Sequence, residues 1–282
     1  MSTKASIDPA TGEVLRADSP AARKPSGLRK FWHSYSLALL FVLLMIGLWE
    51  LYVRAAHVPA YLIPAPSQIA VSLKDDWSTI LGPAMLVTMR EMLVGFVIAV
   101  VAGIGLAIVL HMFRPLRRAV YPLLIASQTI PVVVLAPILV IRFGYGILPK
   151  VIIVALICFF PIVVNELDGL RSVDDDFIRM MKTLDASRWA IFRRIEFPAA
   201  LPSLFSGMRI AATFAAIGAV FGEWSGASAG LGYVMLEATP NLQTARIFAS
   251  ILILTLNALL LFGLVSLLER LLVPWAMKEN TM

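Results

Sequence analysis

Long apolar runs recur along this chain and constrain its fold more than any other feature. A helix needs about 20 apolar residues to cross the hydrocarbon core of a bilayer. Six runs of about this length occur, at residues 36–53, 92–112, 119–142, 148–165, 205–222 and 247–268. Charged residues make up only 15% of the chain, well below the roughly 25% of soluble domains. The sequence therefore predicts an all-α membrane protein with six transmembrane helices.

The basic residues predict how these helices are oriented. Cytoplasmic loops of membrane proteins carry an excess of Lys and Arg. Six spans bring both termini to one side, and if that side is the cytoplasm, the inner segments hold most of the 24 basic residues. Topology then explains the net charge of +6, so nucleic acid is not needed as a partner. We expect a multi-pass protein with both termini in the cytoplasm.

The predicted organisation has three parts. Residues 1–34 are expected to form a disordered cytoplasmic tail, because the first 30 residues are polar and lack a helical apolar period. Residues 35–275 form the six-helix domain, with a cytoplasmic loop at 167–204. Residues 276–282 form a short cytoplasmic C-terminal tail. The polar N-terminal segment is too long for the n-region of a secretory signal, so we expect the first span to be retained.

A charged, amphipathic insert at residues 174–202 separates the fourth and fifth runs. It is too long for a simple connector, which indicates contact with a partner. Asp174, Asp175 and Asp176 precede an apolar and basic stretch, where acids cap a helix and favour its positive end. Metal binding is the less favoured reading of these acids.

The same insert predicts two short helices, at 177–184 and 188–196. Asp185 or Ser187 breaks the first helix and starts the second. Two prolines are then expected to end the second helix and turn the chain toward the fifth span, namely Pro198 and Pro202.

The end of the insert reads IEFP at 195–198 and continues as AALPSLFSGMRIA at 199–211. It resembles the second half of the cytoplasmic signature of permease subunits of bacterial ATP-binding-cassette importers, the binding-protein-dependent inner-membrane components. In that family the first half reads EAA, three residues and Gly. Here Arg179, Met180 and Met181 occupy the EAA positions and Asp185 the Gly position, and Asp adopts a left-handed turn less readily than Gly.

Further matches extend the resemblance over nearly all of the chain beyond the N-terminal tail. They are LIPAPSQI at 62–69, TMREMLVGF at 88–96 and LLERLLVPW at 267–275. The resemblance is to the branch that carries sulfonates, taurine, nitrate and thiamine-precursor pyrimidines. It implies a six-transmembrane-helix type I importer permease of the MetI-like kind, with a cytoplasmic coupling-helix loop, in a bacterial inner membrane.

The resemblance also implies the partners. These are a second copy of the chain, two cytoplasmic ATP-binding-cassette ATPase subunits, and a periplasmic or lipid-anchored solute-binding protein, besides membrane lipid. The sequence contains no G-x-x-x-x-G-K-[ST] phosphate loop, so a separate subunit is expected to hydrolyse ATP and this chain is not an enzyme. No cofactor or metal is expected.

Two sets of candidate site residues follow. The ATPase-coupling set is Met181, Lys182, Thr183, Leu184, Asp185, Ala186, Ser187, Arg188, Trp189, Phe192 and Pro198. The substrate-pathway set is Gln128, Thr129, Glu223, Trp224 and Asn257, because polar residues inside a membrane indicate function. Simpler readings stay open for two of them, since Trp224 suits an interfacial anchor and Asn257 suits a bridge between helices.

Small residues and prolines predict local features of three spans. Two four-residue-spaced stripes favour close helix packing, or a sliding surface, and are the places to look for contact with a second copy. They are Gly95, Ala99, Gly103 and Ala107 in the second span, and Gly207, Ala211, Ala215 and Ala219 in the fifth. Three prolines predict a kinked third span, namely Pro122, Pro131 and Pro137.

The solute is the least constrained prediction. The segment GEWSGASAGLGYVMLEA at 222–238 resembles the pyrimidine-precursor members, and the spans offer few cations for an anionic solute. We expect a small nitrogenous aromatic such as hydroxymethylpyrimidine, a thiamine precursor, with sulfonate, taurine or nitrate as the alternative. An ion-coupled secondary transporter is a second alternative, although no inverted repeat is visible. A membrane enzyme is disfavoured because His33, His57 and His111 sit at different membrane edges.

Overall fold

The computed structural model describes most of the chain, in two compact units. The described residues are 6–7, 14–15 and 27–275. The units comprise residues 1–52 and 53–282.

The first unit contains a strand pair and most of one long helix. Strands β1 (Ser6–Ile7) and β2 (Val14–Leu15) pair antiparallel. Helix α1 (Gly27–Ala55) covers the predicted first span as continuous helix. The helix begins within the predicted tail of residues 1–34, most of which lies outside the described residues. The C-terminal tail, 276–282, lies outside them entirely, so both tails stay predictions.

The second unit is helical throughout its regular elements, and two of its helices are preceded by a π-helical turn. The elements are α2 (Pro66–Asp75), a π turn (Trp77–Leu81), α3 (Gly82–Met112), α4 (Arg114–Ser127), α5 (Val132–Phe143), α6 (Ile147–Arg171), α7 (Asp175–Thr183), α8 (Arg188–Ile191), a second π turn (Phe192–Glu196), α9 (Phe197–Trp224), α10 (Leu231–Ala238) and α11 (Thr244–Leu272). The all-α fold class is confirmed.

Several of these helices have the length and composition of membrane spans. Within the described chain, four helical stretches qualify without interruption, namely Trp77–Met112, Ile147–Arg171, Arg188–Trp224 and Thr244–Leu272. They contain the predicted second, fourth, fifth and sixth runs. The helices begin earlier than predicted, most clearly in the second run, where polar residues before Met92 are already helical. Hydropathy alone therefore places the first residues of these helices too late in the sequence.

The third predicted span is broken rather than kinked. Helices α4 and α5 meet at an angle of 95° across a short break, so the prediction of one helix over 119–142 is wrong. Pro131 lies in extended backbone immediately before α5. A proline has no N–H to continue the helix and disfavours helical geometry in the residue before it, here Ile130. Pro122 and Pro137 are accommodated inside α4 and α5.

Helix α6 packs between α3 and α9 and forms the centre of the second unit. Both small-residue stripes are buried against it. A Cβ on Gly95 would lie 2.6 Å from Cβ of Val154, and a Cβ on Gly207 would lie 2.7 Å from the Pro161 carbonyl oxygen. The helix-packing interpretation is therefore confirmed. The stripes are covered within this chain and are not available for contact with a second copy, which corrects that suggestion.

A partly buried ion pair joins the end of α2 to the start of α11. Arg246, in the first turn of α11, donates two hydrogen bonds of 2.9 Å to the Asp76 carboxylate at the end of α2. These bonds hold the pKa of the Asp76 carboxyl below its usual range. The pair ties the α2 segment to α11 beside a second link, in which Thr244 donates to the Tyr61 carbonyl over 2.6 Å.

The packing of α3 on α6 predicts opposite outcomes for two glycines of the same helix. Gly95→Ala should lower the thermal unfolding midpoint of the purified protein, since the added methyl group forces α3 and α6 apart at a cost of about 1–3 kcal/mol. Gly105 has nothing within 4 Å of an added Cβ, so Gly105→Ala serves as the matched control and should leave the midpoint unchanged or higher. Equal midpoints for the two variants would contradict the packing argument.

Candidate functional site: a coupling loop and a buried polar cluster

The connection between α6 and α9 forms the two-helix loop that the sequence predicts. Asp174 caps α7, its carboxylate accepting a hydrogen bond of 2.8 Å from the Asp176 backbone N–H. Ser187 caps α8 in the same way, accepting from the Ala190 N–H over 3.2 Å. Each cap satisfies a backbone donor that the first turn of a helix leaves unpaired. The predicted capping role of the acids is thereby seen directly at Asp174.

Asp185 makes the turn between the two helices. Its φ of +54° lies in the left-handed region, the conformation that Gly adopts most easily. The Asp185 N–H donates to the Lys182 carbonyl and the Ala186 N–H to the Met181 carbonyl, both over 3.0 Å. This pattern is a Schellman motif, which ends a helix by satisfying its last carbonyls. The loop thus keeps the left-handed turn although Asp stands where the family has Gly.

The second half of the loop differs from the prediction. Helix α8, the π turn and α9 run together as one helical stretch from Arg188 to Trp224, so Pro198 and Pro202 do not end the helix. In the π turn the Phe197 N–H donates to the Phe192 carbonyl five residues back. This wider turn shifts the hydrogen-bond register immediately before Pro198, which allows the helix to continue past a residue that lacks an N–H.

Phe192 anchors the loop to the ends of the neighbouring helices. It is buried and packs with Leu170 of α6 and Ala200 of α9. Its ring stacks on Trp189 at a centroid distance of 5.2 Å and lies 5.7 Å from the Phe197 ring. Aromatic contacts at these distances add to the stabilisation from burial. Phe192 is therefore an internal support of the loop rather than a surface for a partner.

A buried polar contact reinforces this anchor. His111, at the end of α3, lies 2.9 Å from the Glu196 carboxylate, measured from Nε2, and both side chains are buried. The contact joins α3 to the π turn. It places Glu196, the second residue of the IEFP match, inside the protein and not on the loop surface.

Other members of the predicted coupling set are accessible. Leu184 is 71% exposed and Trp189 62% exposed, and Phe177 and Met180 of α7 are also exposed. Large apolar side chains grouped on a polar loop indicate a surface that a partner covers. The remaining members divide between exposed Lys182, Thr183, Asp185, Ser187 and Arg188 and half-buried Met181, Ala186 and Pro198.

At the opposite ends of the spans, Glu223 lies in a buried polar cluster. Its carboxylate accepts hydrogen bonds from Thr88 Oγ1 over 2.6 Å and from the backbone N–H groups of Gly232 and Tyr233 in α10. Thr88 also accepts from the Leu231 N–H over 2.8 Å. A carboxylate at the first turn of a helix satisfies free N–H groups and favours the positive helix end. Glu223 therefore joins α9, α10 and α3.

The turn before α10 is shaped by this carboxylate. Gly230 has a φ of +115°, and a Cβ there would overlap the carboxyl group of Glu223. Glycine is required at this position for both its conformation and the close approach. The GLG portion of the 222–238 segment is thus explained by the buried acid.

Two further charges complete the cluster. The Glu91 carboxylate of α3 lies beside that of Glu223, and Lys150 Nζ of α6 lies 3.4 Å from Glu91 Oε1. Glu91 and Lys150 are buried. The ammonium group of Lys150 thus faces Glu91, and the N-terminus of α10 faces Glu223. Thr88 and Glu91 were not predicted because they precede the second apolar run, which begins at Met92. Lys150 lies inside the fourth run, 148–165, and an ionisable residue within a span is itself a signal of function.

The other predicted pathway residues do not join this cluster. Trp224 is half exposed and its Nε1–H donates to the Gly232 carbonyl over 3.1 Å. Asn257 is buried on α11 and makes a long contact of 3.5 Å with the Met85 carbonyl, which agrees with a bridge between helices. Gln128 and Thr129 are exposed in the break between α4 and α5, not mid-helix as predicted.

The described residues offer no candidate metal centre. In the part of the chain that the structure covers, no group of three His, Cys, Asp or Glu side chains lies close enough to hold a metal ion. The geometry instead combines an exposed two-helix loop at one end of the spans with a charged cluster at the other. One continuous helix, Arg188–Trp224, connects them.

Known proteins are similar to this chain in sequence. The formylaminopyrimidine transport permease ThiX of Halalkalibacterium halodurans is 38% identical over 252 residues, which cover 89% of this chain and all of ThiX. The riboflavin permease RibX of Chloroflexus aurantiacus is 37% identical, over 91% of this chain and 95% of RibX. The putative aliphatic sulfonate permease SsuC of Bacillus subtilis is 29% identical, over 94% and 96%.

The fold has a solved counterpart as well. A structure of the MetNI methionine ABC transporter in an inward-facing conformation superposes with a TM-score of 0.53, covering 66% of this chain and 95% of that chain at 17% identity. The family model for the inner membrane component of binding-protein-dependent transport systems matches residues 95–278. The chain therefore belongs to this family and is the inner-membrane permease subunit of an ATP-binding-cassette importer, a transport component and not itself an enzyme.

Proposed function

We propose that this permease passes a small nitrogenous heteroaromatic solute, such as hydroxymethylpyrimidine or a related thiamine precursor. The observation that carries the proposal is the 38% identity to the formylaminopyrimidine permease ThiX over the full length of that relative. The similarity to the riboflavin permease RibX points to the same chemical class, a planar nitrogen heterocycle.

The charges of the spans support an uncharged solute over a sulfonate or nitrate. An anionic solute needs free cations along its path. Among the described residues, Lys150 faces Glu91 and Arg209 forms an ion pair with Glu269. Arg142 lies over the Phe143 ring. The relation to the sulfonate permease SsuC at 29% identity keeps an anionic solute as the second candidate.

We further propose how ATP hydrolysis elsewhere moves this chain. Two cytoplasmic ATPase subunits dock on the exposed face that includes Leu184 and Trp189, and a second copy of the chain and a solute-binding protein complete the importer. In this proposal the loop and both termini lie in the cytoplasm. The helical stretch Arg188–Trp224 has 37 residues, a length of roughly 55 Å at 1.5 Å per residue. A displacement of the loop is transmitted along this helix to Glu223.

The predicted pathway residues take two roles in this proposal. Gln128, Thr129 and Trp224 have exposed side chains and contact solute. Glu223 and Asn257 are buried and position the helices around the path.

The solute test uses the chain assembled with its ATPase and binding protein in proteoliposomes. ATP-dependent uptake of labelled hydroxymethylpyrimidine, with little uptake of taurine, is the expected result. Uptake of taurine or nitrate with none of the pyrimidine would reverse the assignment.

Two substitutions of Asp185 test the coupling loop. Asp185→Pro should lower solute-stimulated ATPase activity of the assembled complex at least tenfold, because proline fixes φ near −65° and removes the N–H that bonds to Lys182. Asp185→Gly is the matched control and should retain full activity, since Gly adopts the left-handed turn without strain. Unchanged activity in Asp185→Pro, with normal binding of the ATPase, would refute the coupling role of the turn.

Truncating Glu223 separates a positioning role from solute contact. Glu223→Ala leaves the N–H groups of α10 and the Thr88 hydroxyl without an acceptor, and should lower the free energy of unfolding by about 2–4 kcal/mol. Glu237, exposed on α10, provides the control Glu237→Ala, which should be neutral. Thermal unfolding and solute uptake are measured together. Normal stability combined with a raised KM for solute would show that Glu223 contacts the solute instead.

A further inference from the structure

A cationic cavity lies between the coupling loop and the ends of the spans. Its volume is about 360 Å³, and its walls come from α3, α4, α6, α7 and α8. Five basic side chains line it, namely Arg114, Arg117, Arg171, Lys182 and Arg188, against two carboxylates, Asp175 and Glu196.

The basic side chains of this cavity form no ion pair with another residue that the structure describes. Ion pairs of the described chain include His111–Glu196, Lys150–Glu91, Arg179–Asp176, Arg209–Glu269 and Arg246–Asp76. None of the five lining cations takes part in them. Like charges gathered around one cavity repel each other, and a bound anion offsets that repulsion.

A buried histidine gives the cavity a polar wall. His111 lines the cavity and is 8% exposed. Its Nε2 faces Glu196, while its Nδ1 has no hydrogen-bond partner among the described residues. Buried polar atoms are nearly always hydrogen-bonded in folded proteins. The orphaned nitrogen is an independent sign that a polar ligand completes this site.

We propose that the cavity binds a phosphate group, presented by an anionic phospholipid headgroup or as a free phosphate ester. Guanidinium groups pair with phosphate oxygens through paired, charge-assisted hydrogen bonds. Basic pockets between membrane helices bind anionic headgroups. The lipid is the favoured source, because the cavity lies where α3 and α6 end and the Arg188–Trp224 helix begins. Exposed Phe113, which precedes α4, and Leu116 of α4 offer nearby apolar surface for an acyl chain.

The bound phosphate would hold the coupling loop against the spans. Lys182 and Arg188 belong to the loop, whereas Arg117 and Arg171 belong to α4 and α6. One anion bridging both pairs would link α7 and α8 to α4 and α6, which no ion pair given above joins. This inference does not depend on the identity of the solute.

The test uses the permease assembled with its ATPase in nanodiscs of phosphatidylcholine containing a titrated fraction of phosphatidylglycerol. Native mass spectrometry counts the phosphatidylglycerol molecules retained after delipidation. Arg117→Gln/Arg171→Gln should weaken this retention roughly fivefold for each arginine, or about twenty-five-fold for the pair. Arg118→Gln/Arg270→Gln removes two exposed charges outside the cavity and should retain the lipid as the unsubstituted complex does. Equal retention in all three complexes would overturn the proposal.

Two further experiments identify the source of the phosphate group and keep the test valid if a variant misfolds. Glycerol phosphate is added to complexes in phosphatidylcholine alone, and retention of it that depends on Arg117 and Arg171 supports the free ester as the source. In the unsubstituted complex, phosphatidylglycerol with a photoreactive headgroup should crosslink to residues among 111–117 and 171–188. Crosslinks confined to other segments would refute the proposal. So would a cavity that excludes lipid and ester because an ATPase segment fills it. Both outcomes can be read even if the arginine variant fails to assemble.

Discussion

The close contact of α6 with α3 and α9 is the constraint on which the rest of this structure depends. Lipid is as apolar as the side chains, so membrane helices associate through tight packing, not through exclusion of water. Gly95 and Gly103 of α3, and Gly207 of α9, have no room for a Cβ against α6. This packing sets the separation of the three helices at both ends. The spacing of the coupling loop and of the Glu223 cluster follows from it.

The helix from Arg188 to Trp224 connects the two candidate sites of this packed unit. It begins in the loop that carries Leu184 and Trp189 and ends at the acid that caps α10. The π turn at 192–196 and the two prolines after it do not interrupt the rod. In the proposed coupling mechanism, the continuous helix conveys a displacement that a flexible linker would dissipate. The buried contacts of Phe192 and His111 keep the base of the rod in register with α3 and α6.

Local signals in the sequence predicted much of the loop correctly. Asp174 and Ser187 act as helix caps, and Asp185 takes the left-handed turn, because each depends on the chemistry of a few neighbouring residues. The same local reasoning failed at Pro198, where a wider turn absorbs the missing N–H, and at the third span, where Pro131 breaks the helix outright. A proline excludes one hydrogen bond in either case. Whether the helix bends, widens or ends is decided by what packs around it.

The sequence by itself determined that the chain spans a membrane, which family it resembles, where the two-helix loop lies and which residues cap its helices. These properties follow from hydropathy, motif order and contacts within a few residues. Only the tertiary structure decided that Thr88, Glu91, Lys150 and Glu223 form one cluster, and that five cations surround a single cavity beside the loop. The members of each group come from helices far apart in sequence. Their proximity is set by the packing of those helices, which no local pattern encodes.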